Sequence, residues 1–180
     1  MNPVAIIDEF YAKDSIAYQI LLQHGRQVSS KALDIATKMQ HADLDLKFIQ
    51  EAAMLHDIGA FMTNSPELDC HGSYPYVCHG YLGRELLEKK GLSLHALVCE
   101  RHVGVGITAE EIKRCRLPLP VRDMLPVSLE EEIICFADKF FSKNGNSNAD
   151  ERSIKDILSN LERYGDDKVV RFNAWLRMFA

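Results

Sequence analysis

The chain has little of what marks a secreted, membrane-bound or nucleic-acid-coating protein. Its five cysteines (Cys70, Cys78, Cys99, Cys115 and Cys135) are odd in number and include no CxxC pair. That pattern excludes a disulfide framework and a zinc-finger spacing, and it predicts buried, inert thiols in a reducing compartment. There is no basic excess: 21 Lys and Arg face 26 Asp and Glu, for a net charge of −5. A general nucleic-acid binder, with its basic stripe, is therefore not expected. Anionic small molecules stay open, because a bound metal can supply local positive charge. No apolar run is long enough to span a bilayer. The opening "MNPVAIIDEF" carries acids where a secretion signal carries bases. The expectation is a cytoplasmic protein with no nucleic-acid partner and no membrane attachment.

What is present is a long, well-spaced apolar pattern. Hydrophobic residues make up 47% of 180, enough for one buried core, so the whole chain is expected to form one domain. The spacing predicts a helix from about Lys13 to Met39, with Ala17, Ile20, Leu21, His24, Val28 and Ile35 on its inner stripe. "HADLD" breaks it, with His41 exposed and Asp43 as the next N-cap. A second helix places Ile49, Ala53, His56 and Ala60 on one face and stops near Gly59. "MTNSPELDCHGSYPY", 62–76, reads as a loop. Helices follow over about 77–90 and 93–102, and "VGVG" ends the second. "TAEE" at Thr108 and "SLEE" at Ser128 are capping boxes that open two more helices, the latter running to about Ser142. "LPLPVRDMLP" is irregular, and "KNGNSNAD" is a surface turn. Two helices broken near Gly165 fill 151–178. Their stripe of Phe172, Trp175, Leu176 and Phe179 packs on the domain, with a homodimer contact as the alternative to a monomer. No run of alternating β-branched residues stands out, so the fold class is all-α.

Four polar residues interrupt these apolar faces. His24 lies in line with Ile20, Leu21 and Val28. His56 lies in line with Ile49 and Ala53, with Asp57 beside it. Asp138 sits in "IICFADKFF". An Asp in such a run is rarely buried without a partner. Two imidazoles and two carboxylates from three helices suit a divalent first-row ion or magnesium. His56 and Asp57 are adjacent, so on a regular helix they point about 100° apart. To share one ion, the helix must pass close to it or bend as it ends. Hydrogen-bonded core residues, or an Asp paired with an Arg, are the alternative reading. His71 in the loop and His95 read as solvated and structural residues.

The order His24, His56–Asp57, Asp138 resembles the HD superfamily of metal-dependent phosphohydrolases. "AAMLHDIGAF" is similar to its defining motif in the HDIG form, and "EEEIICFADKFFSK" to its final acidic motif. The resemblance covers about residues 15–143 and implies a compact multi-helix bundle with the metal site among its core helices. It leaves 151–178 as a C-terminal helical extension. His79 in "HGYLGRELL" and His102 in "LVCERHVGVGIT" match the places of two further histidines in two-metal members. The stretch from "HVGVGIT" to "ADKF" is similar to a subgroup of small bacterial and archaeal HDIG proteins. The resemblance then implies one or two divalent ions, of Fe, Mn, Zn, Ni, Co or Mg. His24, His56, Asp57 and Asp138 hold the first, and His79 and His102 hold the second with Asp57 as bridge. "RHVGVG" lacks the double His and GYP signature of the cyclic-di-GMP phosphodiesterase branch. The chain is too short for an alarmone synthetase-hydrolase of the long type.

The implied activity is hydrolysis of a phosphoester or phosphoanhydride of a nucleotide or small phosphometabolite, with His56 and Asp57 at the catalytic centre. Positive donors to the phosphate are sought next to the ligands. Arg101 and Lys139 flank ligands directly, and Lys143 and Arg26 lie near them; Arg84 is a further neighbour. Two alternatives share the ligand set. One is an HD-fold di-iron oxygenase, and the other is a nucleotide-binding module that has lost turnover.

Overall fold

The computed structural model describes residues 1–39, 43–143 and 151–180. His41 and most of "KNGNSNAD" lie outside the described residues. Among those described, the fold is all-α. Its helices are α1 (Pro3–Ile7), α2 (Ile16–Lys38), α3 (Leu46–Leu55), α4 (His79–Lys89) and α5 (Ser93–Arg101). They continue with α6 (Ala109–Cys115), α7 (Leu129–Asp138), α8 (Ile154–Glu162) and α9 (Asp166–Phe179). A two-residue hairpin, β1 (Asn64–Ser65) with β2 (Cys70–His71), is paired antiparallel.

The helix starts follow side-chain capping. Ser15 accepts from the Tyr18 N–H at 3.1 Å and Asp45 from the Phe48 N–H at 2.8 Å. Asp45, not Asp43, is thus the cap of α3. Thr108 and Ser128 cap α6 and α7 as expected. The acids of the two boxes go elsewhere. Glu111 takes the ammonium of Lys168, and Glu131 takes Arg101 and the Val127 N–H. The boxes are half formed: each glutamate is drawn to a cation, a stronger partner than a neutral amide, and away from the N–H of its own N-cap residue. Helix α1, absent from the sequence reading, is held by the Asn2 side chain and by Pro3 in its first turn.

Helices α2, α3, α5 and α7 surround the main core. Ile49, Ala53, Ile133, Ile134 and Phe136 are buried there. Phe172 stacks on Phe136 at 5.1 Å, and Trp175 is buried beside them, so the C-terminal stripe does pack on the bundle. Gly165, with φ +137°, makes the turn between α8 and α9 in a region that L-residues avoid. The stretch read as a loop is shaped by its own short structures: the hairpin, and 3-10 helices at Pro66–Leu68 and Tyr76–Cys78. Helix α4 therefore begins at His79 rather than at Val77.

Candidate metal centre

Helix α3 ends at Leu55, earlier than the spacing suggested. His56 is its C-cap in helical geometry, Asp57 departs with φ −102° and ψ 8°, and a 3-10 helix follows at Ile58–Met62. This is the bend that adjacent ligands require. The Tyr11 hydroxyl pins the turn by donating to the Ile58 carbonyl and accepting from the Phe61 N–H, each at 3.0 Å. Gly59 lets it lie against α4. A Cβ there would stand 2.3 Å from the His79 carbonyl oxygen.

The six ligand candidates of the sequence meet in one buried cluster, each at most 7% exposed. The Nε2 of His24 is 2.9 Å from Asp138 Oδ1, 3.1 Å from His56 Nε2 and 3.3 Å from Asp57 Oδ2. His56 Nε2 is 3.2 Å from the same Asp57 oxygen. The other oxygen, Oδ1, faces His79 Nε2 at 3.2 Å and His102 Nε2 at 3.3 Å. Those two nitrogens are 3.0 Å apart. One carboxylate thus presents its two oxygens to two ligand sets.

The arrangement fits cations. Carbonyls only accept, so the Nδ1–H of His56 donates to Ala53, that of His79 to Tyr76 and that of His102 to Cys99, at 2.6, 2.6 and 2.7 Å. Each contact turns Nε2 to the cluster and is the second contact that ligating histidines make. Two Nε2 lone pairs 3.0 Å apart repel unless a positive charge lies between or beside them. Neither oxygen of Asp57 has a hydrogen-bond donor at good angle, and the Lys143 ammonium at Oδ2 leaves Oδ1 facing imidazoles alone, a costly arrangement for a buried carboxylate. Helices α3, α5 and α7 also end here, at His56, His102 and Asp138. The negative ends of their dipoles favour a cation.

The acid–base properties agree. Burial opposes charge on His56, but the Asp57 and Asp138 carboxylates outweigh it and raise its pKa to about 9. Burial pushes His102 down to about 3. Asp57 and Asp138 are held well below the usual carboxylate range despite burial, Asp57 by His56 and Lys143 and Asp138 by Lys139 and His24. The pocket's anions call for positive charge.

The expected phosphate donors divide. Lys143 Nζ lies in the cluster, 2.6 Å from Asp57 Oδ2 and 2.8 Å from the Tyr76 hydroxyl. Lys139 sits behind it: its Nζ holds Asp138 Oδ2 at 2.7 Å and the His102 carbonyl at 3.4 Å. Arg101 does not reach the site, because its guanidinium binds both oxygens of Glu131 at 2.8 and 3.0 Å. Arg84 and Arg122 are likewise committed to buried Glu100. Arg26 is exposed on the outer face of α2. It lies two residues, about 200°, from buried His24. His71 is exposed and pairs with Asp69, and His95 packs edge-on to Phe48.

A narrow cavity reaches the cluster. His24, Asp57 and Lys143 line one side, and Tyr11, Ala17, Ile20, Leu21 and Leu68 line the apolar side. It has about 10 Å³ of room for solvent, the scale of one water molecule. Tyr76 and Tyr11 were missed in the sequence. Both sit in segments without periodicity, where nothing in the chain's pattern marks a residue as inward.

A buried cluster of imidazoles and carboxylates, built from helix ends with one carboxylate between two sets, could hold a metal ion in a helical protein. The HD domain family model matches residues 21–142. The chain belongs to that family, within the superfamily of metal-dependent hydrolases, and HD domains bind divalent metals. It is 35% identical over 121 residues to an uncharacterized protein of Methanocaldococcus jannaschii, covering 66% of this chain and 64% of that one. It is also similar to two proteins named tRNA (cytidine(56)-2'-O)-methyltransferase. The one from Picrophilus torridus is 32% identical, over 72% of this chain and 34% of that protein. The one from Thermoplasma volcanium is 26% identical, over 91% of this chain and 42% of that protein. The chain thus spans less than two thirds of these relatives' lengths. No solved structure matches it. Among the described residues, no helix is long and apolar enough to cross a membrane.

Proposed function

We propose that the protein is a metal-dependent phosphohydrolase that cleaves a phosphoester or phosphoanhydride of a nucleotide or small phosphometabolite. The observation that carries this is the Asp57 carboxylate, with Oδ2 turned to His24 and His56 and Oδ1 to His79 and His102. In this reading His24, His56, Asp57 and Asp138 would hold one divalent ion, and His79 and His102, with Asp57, would hold a second. When bound, such ions supply a water acidic enough to attack near neutral pH, and positive charge for the phosphoryl oxygens.

The chain's own residues do the rest. The backbone carbonyls of Ala53, Tyr76 and Cys99 fix three imidazoles in the tautomer that presents Nε2. Lys139 keeps Asp138 ionised and aimed. Lys143 is the cation free to exchange Asp57 for a phosphoryl oxygen, since a lysine ammonium is a mobile point charge. The apolar wall of Tyr11, Ala17, Ile20 and Leu21 limits water around the cluster. The tRNA methyl transfer in two relatives' names is not carried over to this chain. The match spans 34% and 42% of those proteins.

Purified protein loaded with Mn, Fe or Co should release phosphate or nucleoside monophosphate from members of a substrate panel. His56→Ala and Asp57→Ala should abolish that release. Oxygen consumption with an organic substrate, and no phosphate release, would instead identify a di-iron oxygenase. Ligand-induced stabilisation without product would identify a binding module.

A further inference from the structure

The cation in the cluster is a lysine, and a lysine does not hold itself in place. Its four-carbon stem is flexible and loses rotamer freedom when it is fixed. The Lys143 side chain is 18% exposed. Asp57 holds it now. In the reading above, however, Asp57 Oδ2 belongs to an ion, and the ammonium then needs another anchor. The structure provides one. The Tyr76 hydroxyl accepts from Lys143 Nζ at 2.8 Å, and the ring lies 5.5 Å from the same nitrogen, close enough for a cation–π contact.

Tyr76 is itself tied to the second ligand set. Its ring stacks on the His79 imidazole, with centroids 4.5 Å apart and planes 22° apart. Its carbonyl accepts the His79 Nδ1–H at 2.6 Å. It opens the 3-10 helix Tyr76–Cys78 directly before α4, so its backbone is fixed by the element that carries His79. One side chain therefore touches a ligand of the second ion on its face and the phosphate-facing cation at its tip.

We propose that Tyr76 is a positioning residue: its hydroxyl keeps Lys143 aimed into the cavity for a phosphoryl oxygen, and its stacked ring makes that aim depend on His79 being in place. This rests on the reading of Lys143 as the phosphate contact. Nothing in it requires Tyr76 to touch substrate.

The test uses the metal-loaded protein and inorganic phosphate as the probe, with metal content measured alongside. Tyr76→Phe removes one oxygen and keeps the stack. It should weaken phosphate binding about tenfold, the loss of one hydrogen bond to a charged group, with metal content unchanged. Lys143→Met should weaken phosphate binding at least as much, and the double variant should be no worse than Lys143→Met alone, because the two act through one contact. Tyr76→Leu, which also removes the stack, should in addition lower occupancy of the second ion. Wild-type phosphate affinity in Tyr76→Phe, with the loss retained in Lys143→Met, would overturn the positioning role and leave the phosphate role of Lys143 standing. Wild-type affinity in both would overturn both.

Discussion

Replacing Gly59 by alanine adds one methyl group to a place where two backbones touch. The new Cβ would stand 2.3 Å from the His79 carbonyl oxygen and 2.5 Å from the Gly83 amide nitrogen. Ordinary contact begins near 3.4 Å, so the turn after Asp57 and the start of α4 must separate by about 1 Å. Both offending atoms are main chain, and neither can rotate away. Gly59 is not among the residues with positive φ, so backbone strain contributes nothing. Overpacking of this kind costs about 1–3 kcal/mol. Alanine also removes unfolded-state entropy, which gives back about 0.4–1 kcal/mol. The net expected loss is about 1.3 kcal/mol, or roughly 3–5 °C in Tm for a chain of this size. His79 moves with α4, so occupancy of the second ion should fall more than that of the first. Urea denaturation and elemental analysis of Gly59→Ala read both effects. Stability within about 0.5 kcal/mol of the parent with an unchanged metal content would refute the close-approach argument.

Three further outcomes are expected. Adding Mn, Fe or Co to chelator-treated protein should raise Tm in proportion to the logarithm of ion concentration, with about 2.7 kcal/mol gained at a hundredfold excess over Kd; in Asp57→Asn that rise should be largely lost. Phe172→Ala empties a fully buried site stacked on Phe136 and should cost about 3–5 kcal/mol by denaturant melting. Asp8 is held below the usual carboxylate range by Lys13 at 2.8 Å and the Tyr18 hydroxyl at 2.7 Å. A depressed folded-state pKa stabilises above the unfolded value and is lost as pH falls through the folded one. Asp8→Asn should therefore melt below the parent at pH 7, and the gap should close in acid.

The reading of the bundle was possible because burial writes itself into helical spacing. Ile49, Ala53 and His56 on one face of α3, and Phe172 and Trp175 on α9, are buried as their spacing requires. The N-cap hydroxyls of Ser128 and Thr108 were legible for the same local reason. The cations were not. Arg101 and Lys139 stand beside ligands in sequence, yet one is spent on Glu131 and the other on the back of Asp138. Adjacency along a helix sets a side chain's direction but not its partner.

Polar residues on apolar faces therefore marked, by sequence alone, His24, His56, Asp57 and Asp138 as candidates for one buried cluster, and the family resemblance added His79 and His102. Only the tertiary structure decided that Asp57 turns an oxygen to each side, that backbone carbonyls aim three imidazoles, and that Lys143 joins the cavity with Tyr76 behind it while Arg101 and Arg26 do not. The physical reason is range. A helix's buried stripe follows from neighbours within two turns, whereas a contact between residues 57 and 143 exists only after every intervening helix has packed.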